Sequence, residues 1–345
     1  MFLVDNAAPQ STFAKTTPMN LLVSVVLLNW NGDRHIHRCL EHVFAQTYTS
    51  LEVIVVDNAS TDGSFDQIKR IYGSKCTYIE NSKNLGYAIG MNQGIRVANG
   101  EFVIPLNQDV CLHEHFIEEC VARIQPDNEI GAIGGRVYAW VGDNLTSELR
   151  KGEGEKSFLR KRFQVYAGQQ VDEETWVFGP AGSFPFLRMK MLLDVQATSG
   201  DFYDESFVTG WEDTDLWFRM QLRGWRCLFL PSAYGWHVGS GSVGGKDTFF
   251  SKPLDYRTRI LRNRLFTIAK NLPTPVLLGL SPYLIFTEIA MVPYFIVRSP
   301  TSVLAFLSAW LQFFGAARRV MLKREKIQQS AVLGSAHVKR FFVTL

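Results

Sequence analysis

The sequence predicts an α/β chain, with a mostly parallel central sheet flanked by helices and a hydrophobic helical tail at the C-terminal end. Three observations predict it. Apolar, β-branched runs alternate with segments of helical spacing from Leu21 onward, joined by short connections, the pattern of βαβ units. Three of those runs end in polar clusters, at Asn29, Asp57 and Asp109, as strands do when their carboxyl ends meet a ligand. From Pro273 the composition turns apolar, and Glu288 is the one charged residue between Lys270 and Arg298.

Leu21 to Leu28 reads as a buried strand, stopped by the turn Asn29-Trp30-Asn31-Gly32. Ile36, Leu40, Val43 and Phe44 then recur at helical spacing. A second strand, Leu51 to Val56, ends at Asp57-Asn58-Ala59-Ser60-Thr61-Asp62-Gly63, a cluster of turn formers and N-caps ahead of a helix from Phe65 to Tyr72. Thr77 to Ile79 suits a short strand, and Asn84-Leu85-Gly86 precedes a helix reaching about Ala98. The strand Phe102 to Leu106 runs into Asn107-Gln108-Asp109. A buried strand has no use for Asp at its end unless that end meets water, metal or ligand.

Residues 141–175 are charged, low in periodicity, and read as a mobile loop or insertion. A glycine-rich bend, Gly179 to Ser183, follows. Trp211-Glu212-Asp213-Thr214-Asp215 then opens a helix capped by Gly224, with its carboxylates in the first turn where the dipole favours them. Cys227 to Leu230 is a strand leading to His237. Gly239-Ser-Gly241-Ser-Val-Gly244 matches a dinucleotide-binding pattern but lacks a following βαβ unit and a suitably spaced acid, so it reads as a flexible loop. Residues 255–272 form a basic helical stretch. The run after Pro273 is long enough to cross a bilayer of about 30 Å. A second apolar stretch, Thr301 to Ala317, ends in Arg318, Arg319, Lys323, Arg324 and Lys326. Basic clusters on both sides suit a hairpin with cytoplasmic ends, or helices lying against anionic lipid.

Totals narrow the class. With 345 residues and a net charge of +3, the chain is globular and carries no argument for nucleic acid. Five scattered cysteines without a Cys-x-x-Cys pair fit reduced thiols. The N-terminus shows no apolar signal region. The expected organisation is a leader (1–19), a catalytic domain (20–250), a basic connecting helix (251–272) and a membrane-associated helical tail (273–345).

Taken as a set, Val25 to Gly32, Val55 to Ser64, Asn84-Leu-Gly-Tyr-Ala88 with Asn92-Gln-Gly94, Leu106 to Asp109, and Trp211 to Leu216 with Arg219 and Gly224-Trp225 resemble the family 2 glycosyltransferases over residues 21–240. Asn107 in place of a first Asp resembles the rhamnosyltransferase-like branch. The resemblance implies a GT-A nucleotide-diphospho-sugar transferase fold and inverting transfer. It implies that Asp57 binds the donor base, that Asn29, Asn84 and Asn107 join the donor site, and that Asp109 with His237 holds Mg²⁺ or Mn²⁺ against the diphosphate. Asp213 would be the general base on the opposite face of the sugar. Glu212 would orient the acceptor or the base, and Trp211 with Gly182 would meet the acceptor. The family's Gln-x-x-Arg-Trp is absent, the nearest run being Gln221-Leu-Arg-Gly-Trp225, which implies addition of one sugar rather than processive synthesis.

The expected partners are therefore a dTDP- or UDP-linked donor, rhamnose or a related sugar, a lipid-linked or glycan acceptor of the cell envelope, and a membrane surface at its cytoplasmic face. A nucleotidyltransferase is the rival enzyme class, although the turn after the first strand lacks its Gly-rich basic loop. A degenerate nucleotide-sugar-binding scaffold is the non-enzymatic rival.

Overall fold

The computed structural model describes residues 21–150, 155–158, 161–164, 172–239 and 249–344. The expected leader and nearly all of the 239–244 glycine pattern lie outside these residues. In chain order the elements are β1 (Val23–Asn29), α1 (Ile36–Phe44), β2 (Leu51–Asp57), α2 (Ser64–Tyr72), β3 (Cys76–Glu80), α3 (Tyr87–Val97), β4 (Phe102–Asn107), β5 (Val110–Leu112) and α4 (Phe116–Ile124). Next come β6 (Ile130–Val141), β7 (Asn144–Leu149), β8 (Glu155–Phe158), β9 (Lys161–Gln164), β10 (Thr175–Val177), β11 (Phe186–Arg188), α5 (Met189–Ser199), α6 (Glu212–Leu222) and β12 (Arg226–His237). The chain closes with α7 (Leu254–Asn271), α8 (Thr274–Arg298), α9 (Thr301–Gln329), α10 (Ser335–Lys339) and β13 (Phe342–Thr344).

The main sheet has the order β10-β12-β6-β11-β4-β1-β2-β3. Strands β4, β1, β2 and β3 run parallel, as alternating βα units require, while the short β11 enters antiparallel between β4 and β6. The antiparallel pairs β10–β12, β5–β12 and β6–β7 add to it, so the sheet is mixed. Alternate residues of the buried strands feed two cores. Val25, Leu27, Val53 and Val55 meet α1, α2 and α4 on one face; Val26, Ile54 and Val56 meet α3, α5 and α6 on the other. Both faces are covered, which is why these strands read as continuous apolar runs.

The weakly periodic region after β6 holds more regular structure than its composition suggests: β7 pairs with β6, and β8 and β9 form a hairpin that β13 joins. Helix α9 continues through the basic stretch that ends the second apolar run, where Lys323 turns inward to Asp201 of the catalytic domain and Arg324 to the Ala269 carbonyl of α7. Helix α8 is, among the described residues, the one helix long and apolar enough to cross a membrane.

Candidate active site

Parallel register gathers the polar strand ends at one edge. Asn29 lies opposite Asp57, and Leu28 opposite Asn107. The first two polar ends are turned inward. Asn29 donates through Nδ2 to Asp57 Oδ1 at 2.8 Å and to the hydroxyls of Ser60 and Ser64. The Asp57 carboxylate also accepts from the Ser60 amide at 2.9 Å and the Ser60 hydroxyl at 2.6 Å. Both side chains are buried and neither lines the cleft. They fix the turn after β2, and the next residue, Asn58, reaches the wall instead. Its Nδ2 donates to Gly86 O at 3.1 Å, and its Oδ1 accepts from Asn81 at 2.9 Å.

The third polar end does open into the cleft. Gln108 turns back, accepting from the Trp30 amide at 2.8 Å and donating to its carbonyl at 3.1 Å, while Asn107 and Asp109 line the cavity. Strand β5 pairs with the end of β12, Val110 opposite His237, and this brings the imidazole beside Asp109. Asp109 Oδ1 and His237 Nε2 stand 3.4 Å apart, both nearly buried. Burial pushes the Asp109 carboxyl up, but the charge and hydrogen bond of His237 outweigh it, and the group settles below the ordinary aspartate value. An ionised carboxylate beside an imidazole fits a divalent cation that accepts oxygen and nitrogen ligands. Among the described residues no three His, Cys, Asp or Glu side chains cluster to chelate a metal. The pair therefore offers a partial ligand set, one that ligand oxygens must complete.

The segment before α6 also lines the cleft. Val208, Gly210 and Trp211 have φ of +65°, +82° and +71°. A β-branched residue there is strained by about 1–3 kcal/mol and persists only where its surroundings impose it. Two helices do so. The Val208 carbonyl accepts from the Tyr87 amide at 2.6 Å and the Ala88 amide at 3.2 Å, satisfying donors at the start of α3. From α7, the buried Asn263 amide donates to the carbonyls of Phe207 (2.9 Å), Thr209 (3.0 Å) and Gly210 (2.7 Å). Gly86 is at φ +84°, and a Cβ there would lie 2.5 Å from Val208 Cγ1, so close approach explains the glycine. Asn84 supports this bend by accepting from the Gly86 amide at 2.8 Å, and it also lines the cleft.

Asp213 is half-buried. Its Oδ1 accepts from the Thr214 amide at 2.6 Å and the Thr214 hydroxyl at 3.1 Å. Its Oδ2 abuts Gly182, where an added Cβ would meet that oxygen at 2.8 Å and the Asp213 Cβ at 3.0 Å. Gly182 thus sets the carboxylate's position. Gly182→Ala is expected to displace it and lower kcat by roughly 10- to 100-fold, since misplacement near 1 Å costs about that much. Steady-state rates would show it; wild-type kcat would mean that the carboxylate tolerates the added methyl.

Two residues farther on, Asp215 is fully buried and bonded to Arg219 (2.9 Å), Lys270 (2.8 Å) and Asn271 (2.7 Å). Lys270 also pairs with Asp204, and Lys323 of α9 reaches Asp204 at 2.8 Å and Asp201 at 3.1 Å. Burial raises the Asp204 carboxyl, but the two lysines hold it far below the ordinary range. The segment expected to connect domain and tail is α7, and it also walls the cleft with Tyr256, Arg259 and Ile260. Their i, i+3, i+4 spacing marks one helix face and was the available signal for these missed residues.

One cleft of about 680 Å³ brings together Asn84, Asn107, Asp109, Gly182, Trp211, Glu212, Asp213 and His237. Asn29 and Asp57 stay behind it. Three carboxylates, Glu212, Asp213 and Asp255, line the same cleft as the Asp109 and His237 pair, with Trp30, Trp211 and Tyr256 as aromatic surfaces. Such a cleft can hold an extended polar ligand, bind a cation and take up a proton.

The profile of the family described as Glycosyl transferase family 2 matches residues 24–192. Glycosyltransferase GlyG of Streptococcus pneumoniae is 30% identical over 118 residues, covering 34% of this chain and 39% of that protein. Poly-beta-1,6-N-acetyl-D-glucosamine synthase of Staphylococcus aureus is 23% identical over 225 residues, covering 65% and 51%. The chain thus spans about half or less of the length of these curated relatives. A crystal structure of GalNAc-T7 with UDP, GalNAc and Mn²⁺ superposes with a TM-score of 0.55 at 16% identity, covering 81% of this chain and 58% of that one.

Proposed function

We propose that this chain, a GT-A fold carrying a glycosyl transferase family 2 domain at residues 24–192, transfers a single sugar with inversion from a nucleotide-diphosphate donor to a cell-envelope glycan acceptor. The observation that carries this reading is the presence, in one cleft, of the Asp109 and His237 pair and the half-buried Asp213. Displacement at a sugar carbon needs a stabilised leaving diphosphate on one side and a base for the acceptor hydroxyl on the other.

Asp109 and His237 would hold Mg²⁺ or Mn²⁺. A cation there neutralises the charge that develops on the departing diphosphate. Asn84 and Asn107 line the donor side and offer neutral amides to phosphate and sugar oxygens. Asp213 takes the acceptor proton; Glu212, on the same helix start, orients the acceptor, and Trp211 gives a sugar ring an apolar face. Gly182 acts on the acceptor side through Asp213. Asp57 and Asn29 shape the turn beneath the donor, with Asn58 as the member of that cluster at the wall. GalNAc-T7 was solved with UDP and Mn²⁺, which supports a uridine diphosphate donor and a divalent metal. The S. aureus relative is named as a poly-beta-1,6-N-acetyl-D-glucosamine synthase, which supports a glycan as product. Rhamnose as the sugar, a lipid-linked acceptor and a site at the cytoplasmic face of the membrane complete the proposal; the apolar α8 supports the last two.

Calorimetric titration with UDP and with dTDP, each with and without Mn²⁺, tests it. One nucleotide should bind, more tightly with metal, and Asp109→Ala should weaken the metal-dependent binding by about tenfold or more, that is by about 1.4 kcal/mol. Absence of binding by a folded sample to either nucleotide would sink the donor assignment.

A further inference from the structure

We infer that α8 and α9 dock flat on an anionic lipid surface and do not cross it, which deepens the membrane reading proposed above and rests on it. Thirteen large apolar side chains are exposed on these two helices, seven on α8 (Leu278, Ile285, Phe286, Ile289, Tyr294, Ile296, Val297) and six on α9, among them Leu304, Leu311 and Phe314. So dense a patch marks an interaction surface rather than ordinary scatter. Its spacing is helical: Leu304, Leu307, Leu311 and Phe314 run down one side of α9, while Val276, Leu280, Thr287 and Phe295 of α8 are buried on the other side. Exposed Arg298, Arg318 and Arg319 flank the patch, cations placed to meet anionic headgroups.

Helix α8, with 25 residues, is about 37 Å long and could span a bilayer by length. Its contacts oppose that arrangement. Glu288, near its middle, pairs with Arg264 of α7 and accepts from Trp310 of α9 at 3.0 Å. Both ends are tied as well. Arg324 donates to Thr274 at 3.0 Å, and Arg257 of α7 donates to Ser299, Thr301 and Ser302 around the α8–α9 turn. A crossing α8 would draw α7, with the cleft residues Tyr256 and Arg259, to the depth of the hydrocarbon. Otherwise it would have to peel away and leave Glu288 and Arg264 unpaired, which lipid penalises heavily. With its inner stripe committed to α7 and the domain, the outer stripe lies in the membrane plane.

The test uses the full chain with vesicles of phosphatidylcholine alone and of phosphatidylcholine mixed with phosphatidylglycerol. The protein should sediment with the anionic vesicles and be released by alkaline carbonate. The double variant Ile289→Asp, Leu311→Asp should lose most of that binding, while Ile71→Asp, an exposed apolar position on α2, should keep it. Resistance to carbonate would establish crossing and overturn the inference. So would wild-type sedimentation by the double variant, no sedimentation by the wild type, or a dimer in solution that the double variant dissolves. UDP titration runs alongside. UDP binding without vesicle binding removes the lipid surface alone, and vesicle binding without UDP binding removes the donor assignment alone.

Discussion

Asp213→Asn is expected to cut sugar transfer by roughly 10²- to 10⁴-fold, the usual contribution of a positioned general base, while leaving UDP affinity unchanged. The amide keeps the size of the side chain and can still accept from the Thr214 amide, so the helix start survives; what disappears is the capacity to take a proton. The neighbouring carboxylates are poorly placed to substitute. Glu212 is nearly buried, Asp215 is engaged by two cations and an amide, and Asp255 is held by Arg259. Asp213 alone among the acids of α6 combines partial exposure with a place on the cleft wall. Initial rates and nucleotide titration on one preparation decide the matter. Transfer at the wild-type rate would mean that another group removes the acceptor proton.

Asp215→Ala, two residues along the same helix, is expected to act on the fold. Removing it takes a counter-charge from Arg219 and Lys270, both almost wholly buried, and leaves the Asn271 amide without its carboxylate acceptor. Breaking a buried ion pair from one side costs about 3–5 kcal/mol, because the remaining charge stays desolvated. Urea unfolding should show a lower midpoint with an unchanged slope, and Asp213→Asn should leave the midpoint where it was. A loss below about 1 kcal/mol would mean that Asp204 and Lys323 re-form the network without Asp215. The pair of variants separates two acids that a motif presents as equals.

That separation marks where sequence reading stops. The strand ends were legible, since an apolar run closing in Asn, Asp or Gly has few other meanings, and Asn84, Asn107, Asp109, Trp211 and Asp213 do converge on one cavity. Asn29 and Asp57 close the same kind of run and, in the fold, bond one another and Ser60, a partnership that composition does not show. Gly182 reads from the sequence as part of a glycine-rich bend at the acceptor site; its contact with Asp213, 31 positions away, is visible only in the fold. The role of α7 was hidden for a related reason: Asn263, Lys270 and Asn271 resemble solvated helix residues until the helix is packed, when each meets a buried carbonyl or carboxylate. Antiparallel β11 was also hidden, being too short to show a period.

The grip of α3 and α7 on the strained residues around Val208 also bears on how such enzymes can be recombined. A crossover between β12 and α7 would part Asn263 from the carbonyls it bridges and Lys270 from Asp215, so a transplanted tail would arrive without its docking partners. A crossover ahead of Asp201 keeps residues 201–344 as one inheritable block. That block meets the rest of the chain along β12 against β6, through Asn92 against Tyr203 and Arg223 against Asp194, and at the cleft through Gly86 against Val208 and Asp109 against His237. A chimera cut there keeps its fold only where the incoming β12 matches the resident β6 in register and Asp194 waits for Arg223.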